Sequence, residues 1–179
     1  MKNFKALKII AIALATAVAT IAIFAYFSDY QNAKKYYQMG GDNPALFLAI
    51  AKAESGFSAT AVSNKGAVGL CQLMPKTAEW CAGQMGIEYN ENMLLDAQTN
   101  AKIAVFYIDY LLAKFDETSA ICAYNAGEGN VTGWLLDTNI YQNGEYKSMP
   151  FPETENYLKK VQAYQKKFKF YIWFFGWDK

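Results

Sequence analysis

A glutamate at the end of an apolar run is the residue of this sequence best suited to acid–base chemistry. In the segment AIAKAESGFS, residues 49–58, Glu54 follows Phe47 and Ile50 at helical spacing, so a helix here places its carboxyl group on the apolar face. Burial disfavours the charged form of a carboxyl group and raises its pKa. Such a group can hold a proton near neutral pH and donate it to a glycosidic oxygen in sugar cleavage. The alternative is a glutamate that only ends a helix in solvent.

Composition narrows the chemistry that the rest of the chain can supply. The 179 residues include no histidine, and all 17 basic residues are lysines. Triads built on histidine and histidine-ligated zinc are therefore excluded. Cys71, Cys81 and Cys122 lack the paired close spacing of a thiolate zinc site, so we expect no metal and no cofactor. Whether two of them form a disulfide in an oxidising compartment stays open.

The N-terminus carries a membrane-targeting pattern. Lysines at positions 2, 5 and 8 precede nineteen uncharged, mostly apolar residues, 9–27. As a helix this run spans about 28 Å, close to the roughly 30 Å hydrocarbon core of a bilayer, and the lysines favour a cytoplasmic N-terminus. We expect a signal-anchor in the cytoplasmic membrane. A signal peptide cleaved near residue 19, which releases a secreted domain, is the alternative. Both alternatives export the domain to the cell envelope, in the periplasm or on the cell-wall side.

The sequence divides into four segments. We expect the signal-anchor or signal peptide over 1–27, a polar linker over 28–42, a catalytic domain over 43–167 and an aromatic tail over 168–179. The part after residue 27 holds 14 lysines and 16 acidic residues. Since a nucleic-acid partner requires a basic patch, we expect none.

The segment 43–167 predicts an all-α domain. Proline and glycine signals and apolar spacing predict helices over about 44–55, 75–85, 94–115, 117–124, 128–137 and 154–173. A loop with Gly66 and Gly69 separates the first two helices. Strand signals are nearly absent. We therefore expect a helical domain with a glycine-bearing loop next to Glu54.

Four motifs occur in order along this domain. They are ESGF at 54–57, SNKGAVGLCQLMP at 63–75, AYNAG at 123–127 and PFPETENYLKKV at 150–161. Together they resemble the lysozyme-like lytic transglycosylases of the soluble type, relatives of goose-type lysozymes. The pattern of that family is an ES motif, a GAxGLMQLMP loop, an AYNxG motif and an ETxxYV segment. The resemblance implies a lysozyme-like helical fold in which the glycine-bearing loop belongs to the active site.

The resemblance also implies a reaction. Lytic transglycosylases are lyases that cleave peptidoglycan between N-acetylmuramic acid and N-acetylglucosamine without water and leave a 1,6-anhydromuramyl end. One glutamate, here Glu54, acts first as acid and then as base. A hydrolase needs a second carboxylate roughly 5 to 9.5 Å away, and residues 55–78 contain no acidic residue. A hydrolysing muramidase and a non-catalytic peptidoglycan-binding scaffold are the alternatives.

The motifs assign further site residues by the same resemblance. Those expected to bind or orient the substrate are Ser63, Gln72, Met74, Tyr124, Asn125 and Glu153. In the family the AYN tyrosine lies close to the catalytic carboxylate, and the glutamate of the ET pair lines the site. This sequence departs from the pattern at Cys71, where methionine is usual, and at Pro152 and Glu155, where arginines are common.

The aromatic tail, 168–179, has more large apolar side chains than one helix face can bury. Phe168 and Tyr171 continue a helical stripe from the preceding helix, which predicts packing onto the domain. Phe170 and Trp173 lie on other faces and need a second surface. That surface is either a protein partner in the cell envelope or the membrane interface, where tryptophan and lysine are common.

Overall fold

The computed structural model of the chain describes residues 2–177 and divides into two units between Lys35 and Tyr36. Its helices and strands are α1 (Lys2–Tyr36), α2 (Pro44–Ser55), α3 (Pro75–Met85), α4 (Ala97–Lys114), α5 (Glu117–Ala126), α6 (Glu128–Leu136), β1 (Tyr141–Gln142), β2 (Glu145–Tyr146) and α7 (Pro152–Phe175). Two short 3-10 helices cover Tyr37–Met39 and Glu91–Leu95. The predicted all-α class is confirmed, and β1 and β2 form only a short antiparallel hairpin.

The first unit holds all of α1 except its last residue, Tyr36. Among the residues that the structure describes, α1 is the one helix long and apolar enough to cross a membrane, with a mean hydropathy of 2.3. This capacity to cross a membrane is judged from the length and composition of the helix, and a signal sequence meets the same criteria. The predicted N-terminal apolar helix is therefore confirmed. The helix continues to Tyr36, so most of the polar segment 28–42 is helical.

The second unit is built around α2. Pro44 occupies its first turn, and Gly56 ends it in the left-handed conformation, with φ of 63°. Seven consecutive residues, 45–51, are buried, so α2 is apolar on all sides and forms the central helix of the core. It packs along α7 and also contacts α4. This position brings the last turn of α2, which carries Glu54, to the edge of the core.

Helix α7 presents one buried stripe to the rest of the second unit. The buried residues recur every three or four positions and are Thr154, Tyr157, Val161, Gln165, Phe168 and Tyr171. This spacing places them on one helix face. The helix continues without a break through residue 168 to Phe175, so most of the aromatic tail is the last part of α7.

The three cysteines lie in the core of the second unit. Cys71, Cys81 and Cys122 are buried and free, with no disulfide. Cys71 has no exposed surface, so it fills space beneath the glycine-bearing loop at the position where the family usually has methionine.

Candidate active site

A cleft of about 390 Å³ opens beside the C-terminal end of α2. It is lined by all the residues that the motifs assign, namely Glu54, Ser63, Gln72, Met74, Tyr124, Asn125 and Glu153. These side chains come from the end of α2, the loop after it, the end of α5 and the start of α7. Residues far apart in the sequence therefore meet in one concave surface. Asn64, Lys65 and Ala67, which the sequence analysis did not single out, complete the lining.

Glu54 is the carboxyl group of this cleft whose protonation is most altered. Burial raises its pKa from 4.5 to about 7. The Tyr157 hydroxyl and the positive charge of Lys160 oppose this effect, and the nearby charge of Glu153 adds to it slightly. The result is a carboxyl group that is about half protonated near neutral pH. It can therefore donate a proton and, once ionised, accept one.

Tyr157 is the residue beside Glu54 that sequence reasoning missed. Its hydroxyl is buried and has no hydrogen-bond partner of ordinary geometry among the described residues. It nevertheless interacts with the Glu54 carboxylate closely enough to lower the pKa of Glu54. Helical spacing with Val161 made Tyr157 resemble a core residue. Its position as the tyrosine of the ETxxYV segment, three residues after Thr154, was the signal that could have indicated the site.

Asn100 holds the glycine-bearing loop in place from beneath. This fully buried side chain accepts a hydrogen bond from the Cys71 N–H at 2.9 Å and donates to the carbonyls of Val68 and Leu94, both at 2.9 Å. Gly69 packs directly on it with φ of 82°, and a Cβ atom there would lie 2.2 Å from the Asn100 amide nitrogen. The loop therefore requires glycine at this position. Asn100 lies four residues before the apolar Ala104 of α4, and this spacing could have identified it.

Two predicted substrate-binding side chains also stabilise the loop itself. The Gln72 amide nitrogen donates to the carbonyls of Ala61 and Gly69, both at 3.0 Å. Gln72 also has a positive φ of 48°, an unusual conformation for a residue other than glycine. The Ser63 hydroxyl accepts a hydrogen bond from the Ala67 N–H at 2.9 Å. The side-chain carbonyl oxygen of Gln72 can still accept a hydrogen bond from a ligand, and the Ser63 hydroxyl can still donate one.

Tyr124 and Asn125 connect α5 to the other walls of the cleft. The Tyr124 hydroxyl donates to the Cys71 carbonyl at 2.9 Å, and burial raises its pKa well above its ordinary value. Its direct hydrogen bond is thus to the loop. The Asn125 side-chain carbonyl accepts from the buried Thr154 hydroxyl at 2.8 Å. This bond joins the AYN motif to the ET pair and leaves the Asn125 amide group in the cleft.

Glu153 differs from Glu54 in its surroundings. Its side chain is 72 % exposed and lies 3.6 Å from the ammonium group of Lys65, whose side chain is 80 % exposed. An exposed pair of this kind contributes little to stability. The cleft therefore contains one half-buried carboxyl group and one solvated carboxyl group, and this difference allows the two to have different roles.

The helical fold is that of the lysozyme-like superfamily. The sequence profile of the transglycosylase SLT domain matches residues 31–146. The chain therefore belongs to the transglycosylase SLT domain family, and the resemblance inferred from the four motifs is confirmed.

Relatives and solved structures agree with this assignment. The chain is 33 % identical over 150 residues to the soluble lytic murein transglycosylase of Escherichia coli K12. This match covers 80 % of this chain and 23 % of the relative. It is 32 % identical over 161 residues to the membrane-bound lytic murein transglycosylase C of Haemophilus influenzae PittGG, covering 76 % of this chain and 45 % of the relative.

A crystal structure of an inactive mutant of the Pseudomonas aeruginosa lytic transglycosylase Slt superposes with a TM-score of 0.67 and 29 % identity. The match covers 77 % of this chain and 23 % of that protein. The chain thus spans about a quarter of the soluble relatives that it matches.

Proposed function

We propose that this protein is a peptidoglycan lytic transglycosylase that cleaves the bond between N-acetylmuramic acid and N-acetylglucosamine. The observation that carries the proposal is Glu54, a half-buried carboxyl group whose pKa is raised to about 7, in a cleft lined by the four motifs. Two similar proteins support it. The Escherichia coli relative is a soluble lytic murein transglycosylase, and the Pseudomonas aeruginosa lytic transglycosylase Slt is inactive as a mutant in which glutamine replaces a glutamate.

In the first step Glu54 acts as a general acid. Its carboxyl proton goes to the glycosidic oxygen, the bond from that oxygen to C1 of the muramyl sugar breaks, and the N-acetylglucosamine end leaves with a free hydroxyl group. Burial favours the protonated form that this step needs. The muramyl acetamido group assists at C1, a substrate-assisted exception to the usual pair of carboxylates.

In the second step the ionised Glu54 acts as a general base. It takes the proton from the muramyl C6 hydroxyl while that oxygen bonds to C1, which closes the 1,6-anhydro ring and consumes no water. Tyr157 and Lys160 stabilise the charged form of Glu54, so the carboxylate persists between the two steps. A pKa near the working pH suits a group that must both give and take a proton.

The other cleft residues position the sugar. Three polar groups at the cleft surface can bind it. The Asn125 side-chain NH₂ and the Ser63 hydroxyl are donors, and the Gln72 side-chain carbonyl is an acceptor. Met74 is 44 % exposed in the same cleft and offers an apolar contact. Glu153, at the rim, accepts hydrogen bonds from substrate hydroxyl or amide groups.

A hydrolysing muramidase is the second candidate, and Glu153 is the observation that favours it. This carboxylate lines the same cleft as Glu54, and a hydrolase would use it to activate water or to form a covalent intermediate. Its exposure and its pairing with Lys65 favour a role in orienting substrate instead.

We further propose that α1 anchors the protein in the cytoplasmic membrane and that the second unit acts on the wall outside it. The length and hydropathy of α1 support this placement, and the three lysines before the apolar run favour a cytoplasmic N-terminus. One similar protein is itself named a membrane-bound lytic murein transglycosylase.

The test is the mass of the products that the full chain releases from purified peptidoglycan. We expect muropeptides lighter by one water than the reducing form, and no release by Glu54→Gln. Glu153→Gln is the matched control, because it makes the same chemical change in the same cleft, and it should weaken release without changing the product mass. Reducing products that require Glu153 would replace this proposal with the hydrolase. Binding without release by the unaltered chain would indicate a scaffold.

A further inference from the structure

The C-terminal end of α7 presents a contiguous aromatic surface to solvent. We define the aromatic end as Phe170, Trp173 and Phe174, which are 46 %, 72 % and 61 % exposed. The rings of Phe170 and Phe174 stack with centroids 5.3 Å apart, and the Phe170 and Trp173 centroids lie 6.1 Å apart. Single exposed apolar side chains are ordinary on a protein surface, but a contiguous cluster of large rings marks a surface that something covers.

Packing within the second unit does not account for the aromatic end. Phe168 and Tyr171 are completely buried and supply the contact of this part of α7 with the core. Phe170, Trp173 and Phe174 are spaced three and four residues apart, so they share a different helix face. The helix is therefore attached through one face and offers a second apolar face outward.

The charge around the aromatic end favours an anionic lipid surface. Residues 165–177 contain three lysines and no acidic residue. Lys166 and Lys169, next to the rings in sequence, are exposed. Aromatic rings with flanking lysines are typical of helices that lie in the membrane interface, where the rings enter the headgroup region and the lysines meet lipid phosphates.

Trp177, two residues beyond the end of α7, lies close to the point where the chain enters the second unit. The ring of Trp177, just beyond α7, is 5.5 Å from the ring of Tyr37, which directly follows α1. Residues 28–36 connect the apolar run to Tyr37, and as part of α1 they span about 14 Å. Only these nine residues therefore separate the proposed membrane segment from Tyr37.

We infer that the aromatic end is a second membrane contact, which inserts Phe170, Trp173 and Phe174 into the headgroup region of the membrane that α1 spans. This inference rests on the membrane anchoring proposed above. The contact would fix how the second unit faces the membrane and hence the height at which its cleft meets glycan strands.

The test is fluorescence quenching of the full chain in phosphatidylethanolamine and phosphatidylglycerol vesicles that contain a lipid with brominated acyl chains. The first tryptophan of the sequence is Trp80, so α1 contributes no signal. Trp173→Phe keeps an apolar ring at an exposed position and should preserve the fold. Trp80→Phe is the matched control, since Trp80 is also partly exposed, at 40 %, and lies on α3.

We expect the unaltered chain to float with the vesicles and to be quenched, Trp173→Phe to lose most of the quenching, and Trp80→Phe to retain it. Flotation without quenching would overturn the membrane contact and leave the anchor intact, the outcome expected if a protein partner covers this face. Quenching that Trp173→Phe does not reduce would assign lipid contact to another face and would also overturn the inference. Chains that do not float would refute both membrane proposals, while peptidoglycan cleavage by the same preparation tests the catalytic proposal separately.

Discussion

Replacement of Glu54 by glutamine should make the protein more stable at alkaline pH while it abolishes cleavage. The pKa of Glu54 rises from 4.5 to about 7 on folding, because burial disfavours the carboxylate. Between these values the folded chain holds a proton that the unfolded chain has lost. The contribution of Glu54 to the free energy of unfolding is therefore fully present below pH 4.5. It falls as the pH rises from 4.5 through the folded-state pKa of about 7. At about 1.4 kcal/mol per pKa unit, the loss between roughly pH 4 and pH 8 is about 3 kcal/mol.

The assay is urea unfolding of the full chain in a mild detergent, followed by tryptophan fluorescence near pH 4 and near pH 8. Since the tryptophans all lie after α1, the signal reports the second unit. The stability gained by Glu54→Gln should be about 3 kcal/mol larger at the higher pH. Glu153→Gln changes a carboxyl group that is 72 % exposed and should show no such difference. An equal effect of Glu54→Gln at both pH values would refute the claim that folding raises the pKa of Glu54.

Three further substitutions test the parts of the site. Tyr157→Phe should raise the pKa of Glu54 and move the alkaline limb of the cleavage–pH profile to higher pH, because the hydroxyl favours the carboxylate; an unmoved limb would contradict that role. Asn100→Asp keeps the acceptor for the Cys71 N–H but loses the two donated bonds, and should cost about 3 kcal/mol or more in urea unfolding. Gly69→Ala forces Cβ to 2.1 Å from a backbone carbonyl, whereas Gly66→Ala, at a similar φ, meets nothing within 4 Å. We expect a loss of about 1 to 2 kcal/mol at Gly66 and clearly more at Gly69, and equal losses in thermal or urea unfolding would contradict the predicted clash.

The helices could be predicted because their signals are local. Pro44 and Gly56 delimit α2, and the structure ends the helix where the glycine adopts its left-handed conformation. Motif order also brought residues from four segments to one cleft. Hydrogen-bond partners could not be predicted in this way, since they depend on tertiary packing. The motif places the Tyr124 hydroxyl near the catalytic carboxylate, and the structure shows that this hydroxyl donates to the Cys71 carbonyl. The tyrosine hydroxyl that lowers the pKa of Glu54 is that of Tyr157.

Asn100 shows why the framework of the site is harder to predict than its lining. Nothing in the sequence near Asn100 indicates that it bonds to loop residues about thirty positions earlier. A polar residue at core spacing on α4 was the only local signal. The role of Asn100 depends on the loop backbone that packs over it. That backbone forms few regular hydrogen bonds of its own, so its buried N–H and C=O groups need side-chain partners.

Digestion of peptidoglycan in water enriched in ¹⁸O distinguishes attack by the muramyl O6 from attack by water. If Glu54 performs both proton transfers and O6 of the muramyl sugar attacks C1, no oxygen from water enters the product. We expect 1,6-anhydromuramyl products without the heavy isotope, and no products from Glu54→Gln. Incorporation of one ¹⁸O atom at the new reducing end would contradict this expectation and would show that water is the nucleophile.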